Sequence, residues 1–264
     1  MKEARVLIGF HAVLARLRAD ASSVIEILAD ESRHDARIED VLRLAERCGV
    51  RVIRVPSRRL DGFYGGGRHQ GIVARVAPRD ERASLDDVLG SLAEPALLLV
   101  LDGVTDPQNL GACLRVADAS GAHAVIAPKD RSAGMSPTVA KVASGAAEST
   151  PFLAVTNLAR TLDQLKERDI WVVGASGDAA EDLYDVDLPD SIAWVLGSEG
   201  EGLRRLTRER CDRLIHVPMH GHVQSLNVAV AAGLCLYESR RRRQLHPGRS
   251  PGTPPRGAAD SAPP

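Results

Sequence analysis

The sequence predicts an α/β fold in which a small α/β domain precedes a larger domain built on a parallel sheet. Three observations predict it. From residue 96 to about 244, continuous apolar runs of strand length alternate with helical patterns, as in a parallel sheet covered on both faces. Three strand-to-helix junctions, at 102–115, 196–203 and 217–233, concentrate Gly, Asn, Ser and acidic residues. Parallel sheets bind ligands at such places, along the carboxyl edge. Residues 1–77 alternate strand and helix signals on a smaller scale, and a charged, polar stretch at 78–95 separates them from the rest.

In chain order, residues 24–28 read as a strand. Residues 37–48 place Ile38, Val41, Leu42 and Ala45 at helical spacing, with Gly49 as the stop. Residues 50–55 alternate as a half-buried strand, and 72–76 closes the small domain. Gly65, Gly66 and Gly67 make a loop beside Arg68 and His69. Residues 78–95 read as a linker with one short helical pattern at 85–92. The strands of the larger domain, 96–244, are expected at 97–101, 124–126, 152–155, 170–173, 192–196 and 214–217. Its main helices are expected at 107–120, 157–168, 203–210 and 226–240. The tail, 245–264, is rich in Pro, Gly and Ala, has almost nothing to bury, and reads as disordered.

The 264 residues are 44% apolar and 26% charged, enough for a sizeable core in one or two domains. Aromatics are only 3%, so that core rests on Val, Leu, Ile and Ala. The net charge of −1 argues neither for nor against nucleic acid, because a basic face can sit inside a neutral total. The four arginines at 240–243 are one candidate RNA contact; the negative end of their own helix explains them equally well. No stretch approaches the roughly 20 apolar residues of a membrane span, and the first residues do not form a signal peptide. A cytoplasmic enzyme or binding protein is the expectation. Cys48, Cys113, Cys211 and Cys235 show no metal-ligand or redox spacing. Cys113 and Cys235 fall in apolar helical patterns and read as small core residues.

Chemistry concentrates at the three junctions. In the first, Asp106 suits a helix N-cap and Pro107 the first helical position. Asn109 then lies in the first turn, among unpaired backbone donors. Gly111, Arg115 and Asp118 share a helix face, and a glycine there implies close approach of something. Arg115 is placed to reach a phosphate or an oxyanion, or else to pair with Asp118 or Asp102. In the second junction Gly197, Gly200 and Gly202 allow positive φ and close approach to backbone. The loop is neither a Walker motif nor a dinucleotide fingerprint. Its acids, Glu199 and Glu201, suit a cationic or hydroxyl-bearing ligand, such as a sulfonium nucleoside, and Glu199 is also placed to hold Arg115. In the third, Ser225 reads as the N-cap of an apolar helix and Asn227 stands in its first turn. His220 and His222 lack a third ligand, so no metal is expected.

Together these segments resemble the motifs of the SpoU/TrmH family of RNA ribose 2′-O-methyltransferases, in the SPOUT class. Asn109, Gly111 and Arg115 match N-x-G-x-x-x-R. Gly197, Glu199, Gly200 and Gly202 match G-x-E-G-x-G, and residues 218–228 match P-M-x-G-x-x-x-S-L-N-V. Residues 8–13, 69–75, 129–133, 141–148 and 156–160 resemble the branch of the family that acts on guanosine in large-subunit (23S) rRNA, so the resemblance spans about 6–240. One departure is Ala229, where relatives often carry Ser.

The resemblance implies a SPOUT catalytic domain with a C-terminal trefoil knot, preceded by a small L30e-like α/β RNA-binding domain. It implies S-adenosylmethionine as cofactor, held largely by backbone around Leu196, Gly197, Gly202, Val217, Met219 and Leu226. It implies a homodimer in which the partner subunit completes each site. By resemblance Arg115 is the central catalytic residue, with Asn109, Glu199, Ser225 and Asn227 orienting it, the ribose and the cofactor. A guanidinium stays protonated to pH about 12 or beyond. Arg115 is therefore better suited to binding the adjacent phosphate and stabilising a developing alkoxide while a phosphate oxygen or water takes the proton. Alternatives are methylation of another rRNA site or of tRNA, and a non-catalytic RNA-binding assembly protein. The last predicts a broken cofactor loop, whereas all three motifs are intact.

Overall fold

Two sheets form, one from each part of the chain. The computed structural model describes residues 4–63, 69–77 and 84–245. The first part gives β1 (Arg5–Ile8), α1 (Phe10–Asp20), β2 (Val24–Asp30), α2 (Ala36–Arg47), β3 (Val52–Val55), α3 (Ser57–Asp61) and β4 (Ile72–Val76). The sheet order is β1-β4-β2-β3, with β4 antiparallel to both neighbours and β3 parallel to β2. Asp35 caps α2 by accepting from the Arg37 amide, and the helix buries Ile38, Val41 and Ala45, as its spacing predicts. α1 forms without a side-chain cap and has no local signal in the sequence. That helix buries Phe10, Val13 and Leu17 beside a buried arginine, Arg16.

The second part gives α4 (Leu85–Gly90), β5 (Leu97–Asp102), α5 (Pro107–Ser120), β6 (Ala124–Pro128), α6 (Pro137–Val142), α7 (Ala146–Ser149) and β7 (Phe152–Val155). It continues with α8 (Leu158–Lys166), β8 (Trp171–Ala175), β9 (Glu181–Asp182), β10 (Ile192–Gly197), α9 (Arg205–Arg210), β11 (Arg213–His216) and α10 (Val228–Leu245). All seven strands run parallel in the order β7-β6-β5-β10-β8-β11-β9. Side chains alternate across a strand, and β5 shows it. Leu97, Leu99 and Leu101 enter one core with α5, α6, α7 and α10; Leu98 and Val100 enter another with α4 and α8. Trp194 of β10 is fully buried, and its indole N–H donates to Ser239 of α10 at 2.9 Å. α10 turns Val228, Ala232, Cys235, Leu236 and Ser239 inward. Truncating Leu236 to alanine would cost about 2–5 kcal/mol.

Three expectations change. Val88, Leu85, Leu89 and Leu92 pack into the second core, so the later half of the stretch read as linker belongs to the larger body. α10 starts at 228 and runs on to 245, rather than from 226 to 240, and α9 starts at 205 rather than 203. The arginines at 240–243 are more than a solvated helix end: Arg240, Arg242 and Arg243 each hold a carboxylate or a carbonyl of a neighbouring segment, and Arg241 pairs with Glu238 of the same helix. The glycine loop at 65–67, residues 78–83 and the tail from 246 lie outside the described residues.

The two bodies meet where α1 rests on α7. Glu148, 2% exposed, pairs with Arg5 at 2.8 Å and Arg16 at 3.5 Å. Arg16 also donates to Ser23 and to the Ala77 carbonyl.

Candidate active site

β5 ends at Asp102 and β10 at Gly197, side by side in register, and β11 ends at His216 on the same edge. All three junctions therefore open at the carboxyl edge of one sheet, as the sequence predicts. Asp106 accepts from the Gln108 amide and Pro107 occupies the first turn of α5, which fixes Asn109 at the edge. Gly111 has its reason in α6: a Cβ there would lie 2.6 Å from the Val142 Cβ and 3.0 Å from the Val139 carbonyl oxygen. The approaching object is a helix, not a ligand.

Arg115 lies one turn further along α5 and is exposed. Among the described residues it makes no hydrogen bond and no ion pair. The acids weighed as its partners are engaged elsewhere. Asp102, 1% exposed, accepts from the Arg204 amide at 2.9 Å and its Nε at 2.6 Å. This brace ties the end of β5 to the start of α9. The sequence signal for it was an acid closing an otherwise apolar strand. Asp118 accepts from Ser149 and, at 3.3 Å, from Thr150.

The glycine loop folds back on itself. Ser198 and Gly202 exchange two backbone hydrogen bonds, at 3.2 and 3.0 Å. Gly200 and Gly202 take positive φ, 94° and 69°. Gly197 does not; its requirement is space, because a Cβ there would overlap the Gly202 carbonyl. The loop leaves Glu199 facing the other two junctions. Its Oε1 accepts from Asn109 Nδ2 at 3.2 Å and from Asn227 Nδ2 at 3.0 Å, and Asn227 Nδ2 also donates to Asn109 Oδ1 at 2.8 Å. One carboxylate and two carboxamides thus join three loops that are 90 and 118 residues apart. Glu199 holds the two asparagines rather than Arg115, which corrects the sequence expectation. Burial, with the Glu199 charge adding to it, pushes the Cys113 thiol up to about 12, in keeping with a core cysteine.

The third junction corrects another assignment. Asn227, not Ser225, caps α10: its Oδ1 accepts from the Ala229 amide and its carbonyl from the Ala231 amide, both at 3.0 Å. A cap must reach the second or third amide of the helix, and Ser225 lies two residues too early for a helix that begins at 228. Ser225 is exposed and, among the described residues, without a hydrogen bond. Asn227 therefore has two duties, one for each end of its carboxamide. Leu196 is buried at the end of β10, Val217 follows β11 and packs on the first core, and Met219 and Leu226 stand in the loop beyond. Among the described residues no backbone–backbone hydrogen bond involves 217–226. That leaves a row of main-chain donors and acceptors at the carboxyl edge.

Known proteins match this chain over most of its length. The SpoU rRNA Methylase family profile matches residues 96–237, and the profile for RNA 2′-O ribose methyltransferase substrate binding matches residues 6–82. The 23S rRNA (guanosine-2′-O-)-methyltransferase RlmB of Ralstonia nicotianae is 57% identical over 94% of this chain and 100% of its own. The protein of the same name from Bordetella pertussis is 57% identical over 92% and 100%. Among solved structures, the SpoU methyltransferase AviRb from Streptomyces viridochromogenes in complex with AdoMet is similar with a TM-score of 0.70. It is 25% identical, with coverage of 92% of this chain and 91% of that one. With motifs, fold and relatives in agreement, this chain belongs to the SpoU rRNA methylase family.

Proposed function

We propose that this chain methylates the ribose 2′-oxygen of a guanosine in 23S rRNA, using S-adenosylmethionine. The observation that carries the reading is the node of Asn109, Glu199 and Asn227, with an unpaired Arg115 further along the helix that carries Asn109. The names and high identity of the relatives support the substrate, and the AdoMet complex of AviRb supports the cofactor.

The cofactor supplies an electrophilic methyl group on a cationic sulfur. The residues fit such a ligand. The unengaged backbone at 217–226 offers hydrogen bonds without charge. The closed loop at 197–202 presents backbone at Gly197 and Gly202, where a side chain would intrude or strain. Val217, Met219 and Leu226 supply apolar surface, while the Leu196 side chain is buried in the core beneath. In this reading Glu199, fixed by two asparagines, keeps the three walls in register, and Ser225 contributes a hydroxyl to the same pocket.

The chemistry asked of the protein is alignment and charge stabilisation. Holding the 2′-oxygen in line with the methyl carbon removes much of the entropic barrier. Arg115, with no carboxylate to neutralise it, binds the neighbouring phosphate and stabilises negative charge growing on the 2′-oxygen. A guanidinium group is a donor and not a base near neutral pH, so the proton leaves to a phosphate oxygen or water.

The same reading includes the rest of the organisation. Residues 1–77 bind the RNA substrate, and the body from α4 to residue 244 is the methyltransferase domain, with the stretch before α4 connecting the two. The expected trefoil knot involves the 217–227 loop. α10 packs on α5, β5 and β10, although the strand it follows, β11, lies beyond β8. The homodimer forms on α10, where Val230 and Tyr237, two turns apart, are each 52% exposed. The enzyme acts in the cytoplasm, where rRNA is made. Mapping ribose methylation of 23S rRNA incubated with the protein and S-adenosylmethionine tests the reading. The expected result is a single 2′-O-methylguanosine; no transfer to mature 23S rRNA or to its assembly precursors contradicts it.

A further inference from the structure

From residue 84 to 245 the lysines and arginines fall into two populations. Every one from 166 to 243 holds a carboxylate or a main-chain carbonyl. Lys166 pairs with Asp212, Arg208 with Asp178 and Arg213 with Glu181, and the others are engaged in the same way. The earlier ones, Arg115, Lys129, Arg131, Lys141 and Arg160, are all exposed and, among the described residues, have no side-chain partner.

The second population is also gathered in space. Lys129 follows β6 directly, and its amide donates to the Val155 carbonyl at the end of β7. Arg160 stands in the first turn of the helix after β7. The loop carrying Arg131 is fastened to the loop after β5, where the Ala133 amide and the Ser132 hydroxyl both donate to the Val104 carbonyl, at 2.8 and 3.1 Å. Lys141 rides on α6, which lies against α5 at Gly111, one turn from Arg115. Arg131 has φ +56°, a backbone region that disfavours any residue with a Cβ. Strained positions of this kind cluster at functional sites. Asp130 is the one acid within the loop.

We infer that Lys129, Arg131, Lys141 and Arg160 form a track for RNA phosphates that leads across the carboxyl ends of β7, β6 and β5 to Arg115. The inference rests on the methyltransferase reading and adds the path of the substrate. The rRNA backbone beside the target nucleotide crosses this half of the sheet edge. It avoids the half formed by β8, β11 and β9, where the arginines are already neutralised. Phosphate contacts of this type set position and register rather than sequence, which is what a ribose-directed reaction needs from the catalytic body.

The test is the full-length triple variant Lys129→Ala/Arg131→Ala/Arg160→Ala. Its charge-matched control, Arg168→Ala/Arg205→Ala/Arg208→Ala, removes three paired arginines. Binding of a 23S rRNA fragment is measured against salt concentration, together with methyl transfer at saturating S-adenosylmethionine. Losing three phosphate contacts lowers the slope of log K against log salt by about 2 to 3. The track variant shows that loss and at least a tenfold rise in KM for RNA. Its kcat and its S-adenosylmethionine affinity stay within about threefold of wild type. The control keeps the wild-type slope. A track variant with wild-type slope and KM, or an equal loss in the control, overturns the track. If wild-type protein transfers no methyl group to rRNA, the methyltransferase reading fails instead. Arg160→Glu alone, at the far end of the track, repeats the test should the triple variant fold poorly.

Discussion

Helices α5 and α10 pack on each other over one face of the sheet, yet they use arginine in opposite ways. α5 carries a single arginine, Arg115, exposed and unpaired among the described residues. α10 carries four in a row, and all are occupied. Arg240 takes both oxygens of Glu94, at 2.7 and 3.0 Å, and caps the end of α5 through the Ser120 carbonyl at 2.7 Å. Arg241 and Arg242 share Glu238, which is 5% exposed. Arg242 also reaches the carbonyls of Leu183, Tyr184 and Val186, and Arg243 those of Ala96 and Asp190. Density of positive charge in a sequence thus says little about where it acts. The dense run is a clasp that holds α10 to three segments, and the isolated residue is the one that no protein group among the described residues holds.

The contrast can be broken from the structural side first. Arg242→Ala removes one partner of a nearly buried carboxylate and orphans three carbonyls, so it should cost about 3 kcal/mol. For a chain of this size that lowers Tm by roughly 6–12 °C. Methyl transfer at low temperature should survive. Unchanged thermal stability with lost RNA affinity would reverse the assignment of the run. Glu238→Gln should cost less, about 1–2 kcal/mol, because water replaces part of what Arg241 supplies. The hydrogen bond from Arg241, then that from Arg242, holds the Glu238 carboxyl below the usual range. A depressed folded pKa stabilises above the unfolded value, near 4.3, and the benefit is lost as pH falls through the folded value. The gap between wild type and Glu238→Gln in denaturant melts should therefore be full at pH 7 and shrink progressively as pH falls below the unfolded carboxyl value, near 4.3. A gap that does not change with pH rules out the charge pairing. The smallest effect is on thiol chemistry. Burial pushes Cys113 of α5 and Cys235 of α10 up to about 12, whereas Cys48 is exposed. At pH 8 a disulfide reagent should label Cys48 within minutes and the two helix cysteines only on unfolding. Fast labelling of Cys113 would mean that α5 is not packed as described.

The sequence made α5 legible to the residue because both ends are marked locally, by Asp106 with Pro107 and by Gly121 in the left-handed cap. The buried strands were legible because runs such as Leu97–Asp102 have no polar interruption until the last residue. The start of α10 was not, since Ser225 and Asn227 both suit a cap. The choice fell to Asn227, whose other amide end is drawn to Asn109 and Glu199, partners more than 25 residues away. α1 was missed because its inward face includes Arg16, whose partner Glu148 lies in the other body. The three site motifs were readable as composition at junctions. Which of their side chains touch was not, because long-range pairing leaves no trace in spacing.

The central claim is that Arg115 is kept without a protein partner so that it can serve the reacting oxygen. The most direct measurement compares single-turnover methyl transfer to a 23S rRNA fragment by wild type, Arg115→Lys and Arg115→Ala, with Tm and S-adenosylmethionine affinity taken on the same samples. Removing a group that stabilises transition-state charge typically costs about 10²–10³ in rate. The predicted result is a loss of that size for Arg115→Ala, partial recovery for Arg115→Lys, Tm unchanged within about 2 °C and unchanged cofactor affinity. An Arg115→Ala variant that transfers methyl at the wild-type rate, or loses rate only in step with stability, would contradict it.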